Sequence, residues 1–71
     1  MVQSHVAANI RAEMARTGKN QGDIAKVLGI TRQAVSRRLL GFTPLDVDQL
    51  AKIADLLGVS MSELLGEKAS A

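Results

Sequence analysis

The chain has no cysteine, so it can form no disulfide and offers no thiolate to a metal. That absence fits a reducing cytosol. No stretch approaches the roughly 18 apolar residues of a membrane-spanning helix. The N-terminus lacks the charged-then-apolar plan of a secretory signal. A transit peptide would also carry arginines such as Arg11 and Arg16, but Glu13 and the regular pattern that follows read as an ordinary first helix. The one histidine, His5, has no acid or nucleophile near it in sequence, and it reads as a surface residue of the first helical turn. There is no nucleophile–base pair, no cluster of metal ligands and no glycine-rich phosphate loop. These absences predict no enzyme, no cofactor, no metal and no small-molecule ligand. No strand-like alternation, internal repeat or low-complexity tract interrupts the chain.

What is present fits one small domain. The length is 71 residues, and a core of that size is thin unless helix packing is close to ideal or a partner chain adds to it. The net charge of +2 is unevenly spread. Residues 1–18 carry net +1, residues 19–42 carry net +4, and residues 43–71 carry net −3. In the middle segment Lys19, Lys26, Arg32, Arg37 and Arg38 face Asp23 alone. A basic middle and an acidic end make that middle a candidate anion-binding face, against the plainer reading of a solvated surface.

The punctuation is regular. Gly18, Gly29, Gly41, Gly58 and Gly66 each follow a helical pattern, as helix-ending glycines do. Ser4, Asn20, Thr31, Asp46 and Ser60 stand where helices would start. Asn20 has Asp23 three residues on, and Asp46–Gln49 and Ser60–Glu63 have the spacing of a capping box. The expectation is an all-α domain of five helices, near 4–17, 21–28, 32–40, 47–57 and 61–65. The apolar sides are Val6, Ile10 and Met14; Ile24, Ala25 and Leu28; Val35 and Leu39; Leu50, Ile53, Ala54 and Leu57; and Met61, Leu64 and Leu65. Ile30 and Val59 plug gaps from the short connections. Pro44 falls in the longest connection, where it harms no helix. Residues 67–71 read as a flexible tail behind a domain at 1–66.

The second and third helices are separated only by Gly29, Ile30 and Thr31. Ala25 is small where the two helices cross, Gly29 permits a sharp turn, and Ile24, Leu28, Ile30 and Val35 fill the angle between them. That is the physical recipe of a helix-turn-helix over about 21–40. The stretches "NQGDIAKVLGITRQAVSRRLLG" and "VDQLAKIADLLGVSMSELLG" resemble the lambda-repressor and Cro-like helix-turn-helix family of phage and bacterial regulators. The resemblance implies a compact five-helix domain that binds double-stranded DNA through its third helix in the major groove, usually as half of a dimer. Two positions depart from the family pattern. Arg38 stands where a bulky apolar residue is usual, and Leu40 where a polar one is. A helix turns about 100° per residue, so Val35 and Leu39 still form an apolar stripe with Arg38 at its border. There its stem can cover apolar surface while its guanidinium reaches water or a phosphate. Leu40 cannot donate a hydrogen bond and instead packs, on this reading, against Phe42 or Leu45.

On the same wheel Gln33 and Arg37 fall about 160° and 200° from Val35, facing away from the core, with Ser36 and Arg32 on the flank. Arginine can donate twice to guanine, and glutamine can pair with adenine. The resemblance makes Arg32, Gln33, Ser36 and Arg37 the base readers. The competing reading for the arginines is contact with phosphates alone. By the same resemblance Gln21 bonds a phosphate and braces Arg32. Thr31, Arg38 and Thr43 join it as phosphate contacts, together with Lys19 and Lys26, which also read as simply solvated. Asp46, Asp48, Ser60, Ser62 and Glu63 read as caps and dipole partners. The five-residue last helix cannot easily bury Met61, Leu64 and Leu65 together, so the exposed remainder is a candidate dimer seam.

The leading expectation is therefore a phage-type repressor or Cro-like protein in a bacterial host cytoplasm, nucleoid-associated when bound. It would occupy a near-palindromic operator as a homodimer. The alternatives are an antitoxin of the same fold, which an extra apolar patch would favour, and a helical adaptor that has lost DNA binding.

Overall fold

The structure, a computed structural model, describes residues 2–66. It contains α1 (Val2–Thr17), α2 (Gln21–Leu28), α3 (Arg32–Leu39), α4 (Val47–Leu57) and α5 (Met61–Leu65), and no strand among the described residues. The tail anticipated at 67–71 lies outside the described residues.

Helices α2 and α3 have eight residues each, too short to hold in water without tertiary support. Their ends show what fixes them locally. Asn20 accepts a hydrogen bond from the Asp23 amide at 2.9 Å, and Asp23 Oδ2 accepts one from the Asn20 amide at 2.9 Å. The pairs Asp46–Gln49 and Ser60–Glu63 close the same reciprocal box. Thr31 Oγ1 accepts from the Ala34 amide at 3.0 Å. Each box satisfies two amides that a helix start would leave without partners. At the turn between α2 and α3, Gly29 adopts a left-handed φ of 70° while its amide donates to the Ala25 carbonyl at 2.8 Å. A side chain would strain that backbone although it would touch nothing there.

Two helix starts or stops differ from the sequence reading. Ser4 lies inside α1, because Val2 and Gln3 contain no breaker and the helix continues past it. Helix α3 ends at Leu39, and Leu40 serves as its C-cap ahead of Gly41 at φ 89°.

The core is the expected one. Val6, Ile10, Ile24, Ala25, Val35, Leu39, Leu50, Ile53, Ala54, Leu57 and Leu64 form one buried cluster. Met14, Leu28, Ile30, Val59, Met61 and Leu65 pack half-buried around it. Helix α2 packs on α3 and α4, and α1 packs on α3, α4 and α5. No described residue buries an unpaired side-chain polar atom. Leu64 is fully buried, which corrects its place in a dimer seam: a helix of five residues turns far enough to seat this one side chain in the core. Met61 and Leu65 remain half-exposed.

Helix α1 also closes the ends of two other helices. Asn9 Nδ2 donates to the Leu64 carbonyl at 2.8 Å, and Arg11 Nη1 donates to the Leu39 carbonyl at 2.7 Å. Both acceptors are last-turn carbonyls without an intrahelical donor. The guanidinium at the negative end of α3 also complements its dipole.

Candidate nucleic-acid interface

Helix α3 buries Val35 and Leu39 and turns the opposite side outward. Arg32, Gln33 and Arg37 are exposed and Ser36 is half-buried. None of the four makes a side-chain hydrogen bond or ion pair among the described residues. Arg32 lies beside α2, its guanidinium against Gly22. Arg37 rests over the Phe42 ring, with Cζ 5.8 Å from the centroid. Phe42, which sequence reasoning did not single out for the site, thus supports one of its expected base readers. The signal was available: a lone aromatic just beyond the basic end of the helix.

The flanks carry further donors. Gln21 is half-buried at the start of α2, and Thr43 is half-buried in the connection after α3. Thr31 is exposed; its oxygen caps α3, and its hydroxyl proton remains to donate. Lys19 and Lys26 are exposed on the same part of the chain. The only ion pair among the described residues, Arg16 with Glu13, lies on α1. The charges of Lys19, Lys26, Arg32 and Arg37 are therefore unneutralised.

Arg38 stands apart. Its Nη1 donates to the Ala34 carbonyl at 2.9 Å and its Nε to Gln49 Oε1 at 3.3 Å. Gln49 Oε1 also accepts from the Asp46 amide at 3.3 Å, so one side chain joins the α4 capping box to α3. The border position foreseen for Arg38 is correct, but its guanidinium turns toward α4 and ties two helices together. Leu40 and Phe42 are 66% and 71% exposed, so the packing anticipated for Leu40 against Phe42 or Leu45 does not bury it. Val47 is 72% exposed as well. No helix among the described residues is long and apolar enough to cross a membrane.

The arrangement presents two helix starts and a row of outward polar side chains on one short helix, two of them unpaired arginines, with the unpaired Lys19 and Lys26 nearby in the chain. A family model described as helix-turn-helix matches residues 10–64. No curated protein matches the chain. It is similar to the crystal structure of a hypothetical transcription factor, NHTF, from Neisseria, with a TM-score of 0.83 and 25% identity. The match covers 99% of this chain and 84% of that one. With five helices among the described residues and a short α2–α3 turn, the chain belongs to the Cro/C1-type helix-turn-helix family of DNA-binding transcriptional regulators.

Proposed function

We propose that the protein is a phage-type repressor or Cro-like regulator that occupies operator DNA through α3 in the major groove. The observation that carries this reading is the outward face of α3, where Arg32, Gln33 and Arg37 are exposed with no hydrogen bond or ion pair to spend their donors. Gln33 and Arg37 read base edges. Arg32 and Ser36 read bases from the flank of the helix. Gln21, Thr31 and Thr43 fix the register on phosphates, and Lys19 and Lys26 add charge. The first-turn amides that the caps leave over, those of Gln21 and Gly22 in α2 and of Arg32 and Gln33 in α3, suit phosphate oxygens. Arg38, committed to Ala34 and Gln49, is left out of that set.

Two copies on a near-palindromic operator would set their α3 helices about 34 Å apart on one face of the DNA. The dimer contact falls to Met61 and Leu65, the half-exposed members of the last helix. Such a protein works in the cytoplasm of a bacterial host. The test is selection of bound duplexes from a randomised pool, followed by anisotropy titration near physiological salt. A preference of about a thousandfold over scrambled DNA supports a specific reader.

A second reading has one observation in its favour. Leu40, Phe42 and Val47 expose large apolar surface within residues 40–47, as the protein-binding face of an antitoxin of this fold would. Co-purification with the product of a neighbouring gene, abolished by Phe42→Asp with the fold intact, would support it.

A further inference from the structure

Gly22 occupies the first turn of α2, between the cap Asn20 and its box partner Asp23. Its φ is not in the left-handed region, so nothing in the backbone asks for glycine there. In a helix glycine is among the poorest residues, and alanine the best. What a side chain here would meet lies across the motif. A Cβ at this position would stand 2.8 Å from Arg32 Nη2 and 3.0 Å from Arg32 Nε. Real Cβ atoms do not come that close to a guanidinium, so the head of Arg32 fills the space that a side chain on residue 22 would take.

Nothing else among the described residues holds Arg32. It makes no hydrogen bond and no ion pair, although its side chain is exposed and long. Asp23 Oδ2 accepts from the Asn20 amide, and its carboxylate forms no ion pair with Arg32. The guanidinium therefore lies in the room that the bare α2 leaves, without a hydrogen-bond or ion-pair partner, and its donors stay unspent.

We propose that Gly22 is a positioning residue for DNA recognition: by leaving α2 bare at this point it seats the Arg32 guanidinium against the start of α2. This rests on the DNA-binding reading above and adds a residue to it. A methyl group at position 22 would push the flexible end of Arg32 away at little cost to the fold, because only the tip of a long side chain has to move. The same methyl would stand 3.0 Å from Asn20 Oδ1, so the cap must give slightly as well. The two effects separate by what they move. Cap disturbance changes stability, whereas displacement of Arg32 changes binding only while Arg32 is present.

The first test uses the unaltered free protein. An NMR cross-relaxation peak between Arg32 Hε and the Gly22 Hα protons is expected, and its absence overturns the proposal whatever the DNA results. The second is a double-mutant cycle with Gly22→Ala and Arg32→Ala, read as operator affinity by anisotropy. Gly22→Ala alone is expected to weaken operator binding about threefold to tenfold, and to have almost no effect in the Arg32→Ala background. An equal loss in both backgrounds, or none in either, overturns the proposal. If the unaltered protein does not distinguish operator from scrambled DNA, the DNA-binding reading fails instead, while the peak still reports on Arg32.

Discussion

Arg11 holds α3 by its far end: its Nη1 donates to the carbonyl of Leu39, the last residue of that helix, at 2.7 Å. The bond crosses 28 positions of sequence and connects α1 to the helix that faces outward. It satisfies a carbonyl that the helix cannot, and it sets a positive charge at the negative end of the dipole. Arg11→Met, which keeps much of the apolar stem, should cost about 1 kcal/mol. For a domain of this size that lowers the Tm by roughly 4–8 °C in a calorimetric scan. An unchanged Tm would show that water serves the Leu39 carbonyl equally well.

Leu64 separates a core residue from a seam residue. It is fully buried and packs with the α1 core. Leu64→Ala should cost about 2–5 kcal/mol. A core this small supplies only about 3–5 kcal/mol in all, so the variant should be largely unfolded at 37 °C by circular dichroism. Leu65→Ala should remain folded. Its effect should appear instead in the concentration dependence of sedimentation, if the last helix carries the dimer contact.

The Asp46 cap should contribute to stability without reading DNA. Asp46 Oδ1 accepts from the Gln49 amide at 2.7 Å, and the box also anchors Arg38 through Gln49. Asp46→Ala should destabilise the domain by about 1 kcal/mol in urea titration. Once saturating stability is restored by low temperature, operator affinity should be close to that of the unaltered protein.

Phe42 is expected to act through Arg37. A guanidinium over an exposed aromatic ring gains about 0.5–1 kcal/mol. Phe42→Ala should therefore weaken operator binding about twofold to fivefold in anisotropy titrations. The loss should vanish when Arg37 is already alanine. Persistence of the loss in that background would place Phe42 itself on the DNA or on a partner.

Much of this was legible in the sequence because cap chemistry is local. Asn20, Thr31, Asp46 and Ser60 each act on a residue three positions on, and a reader needs only the spacing. The apolar stripes were equally plain, since burial follows the helical period. The outward placement of Gln33 and Arg37 followed from the same period. The contacts of Asn9 and Arg11 were not legible, because they join residues 55 and 28 positions apart and the acceptors are backbone carbonyls. No residue type marks a carbonyl as waiting for a donor. The last helix was ambiguous for another reason: with five residues, one turn and a half cannot rank three apolar side chains by exposure. Gly22 was hidden in a third way, for its meaning lies in a neighbour brought there by the fold.

If α3 reads sequence, Arg37 is the side chain whose loss shows it. Operator and scrambled duplexes should be titrated side by side with the unaltered protein and with Arg37→Ala, near physiological salt. Arg37→Ala should lose about 1–3 kcal/mol on the operator and relax preference at one base pair, with a much smaller loss on scrambled DNA. Gln21→Ala, run as the comparison, should weaken both duplexes alike. Equal losses on both duplexes for Arg37→Ala would contradict the claim and reduce α3 to a phosphate-binding surface.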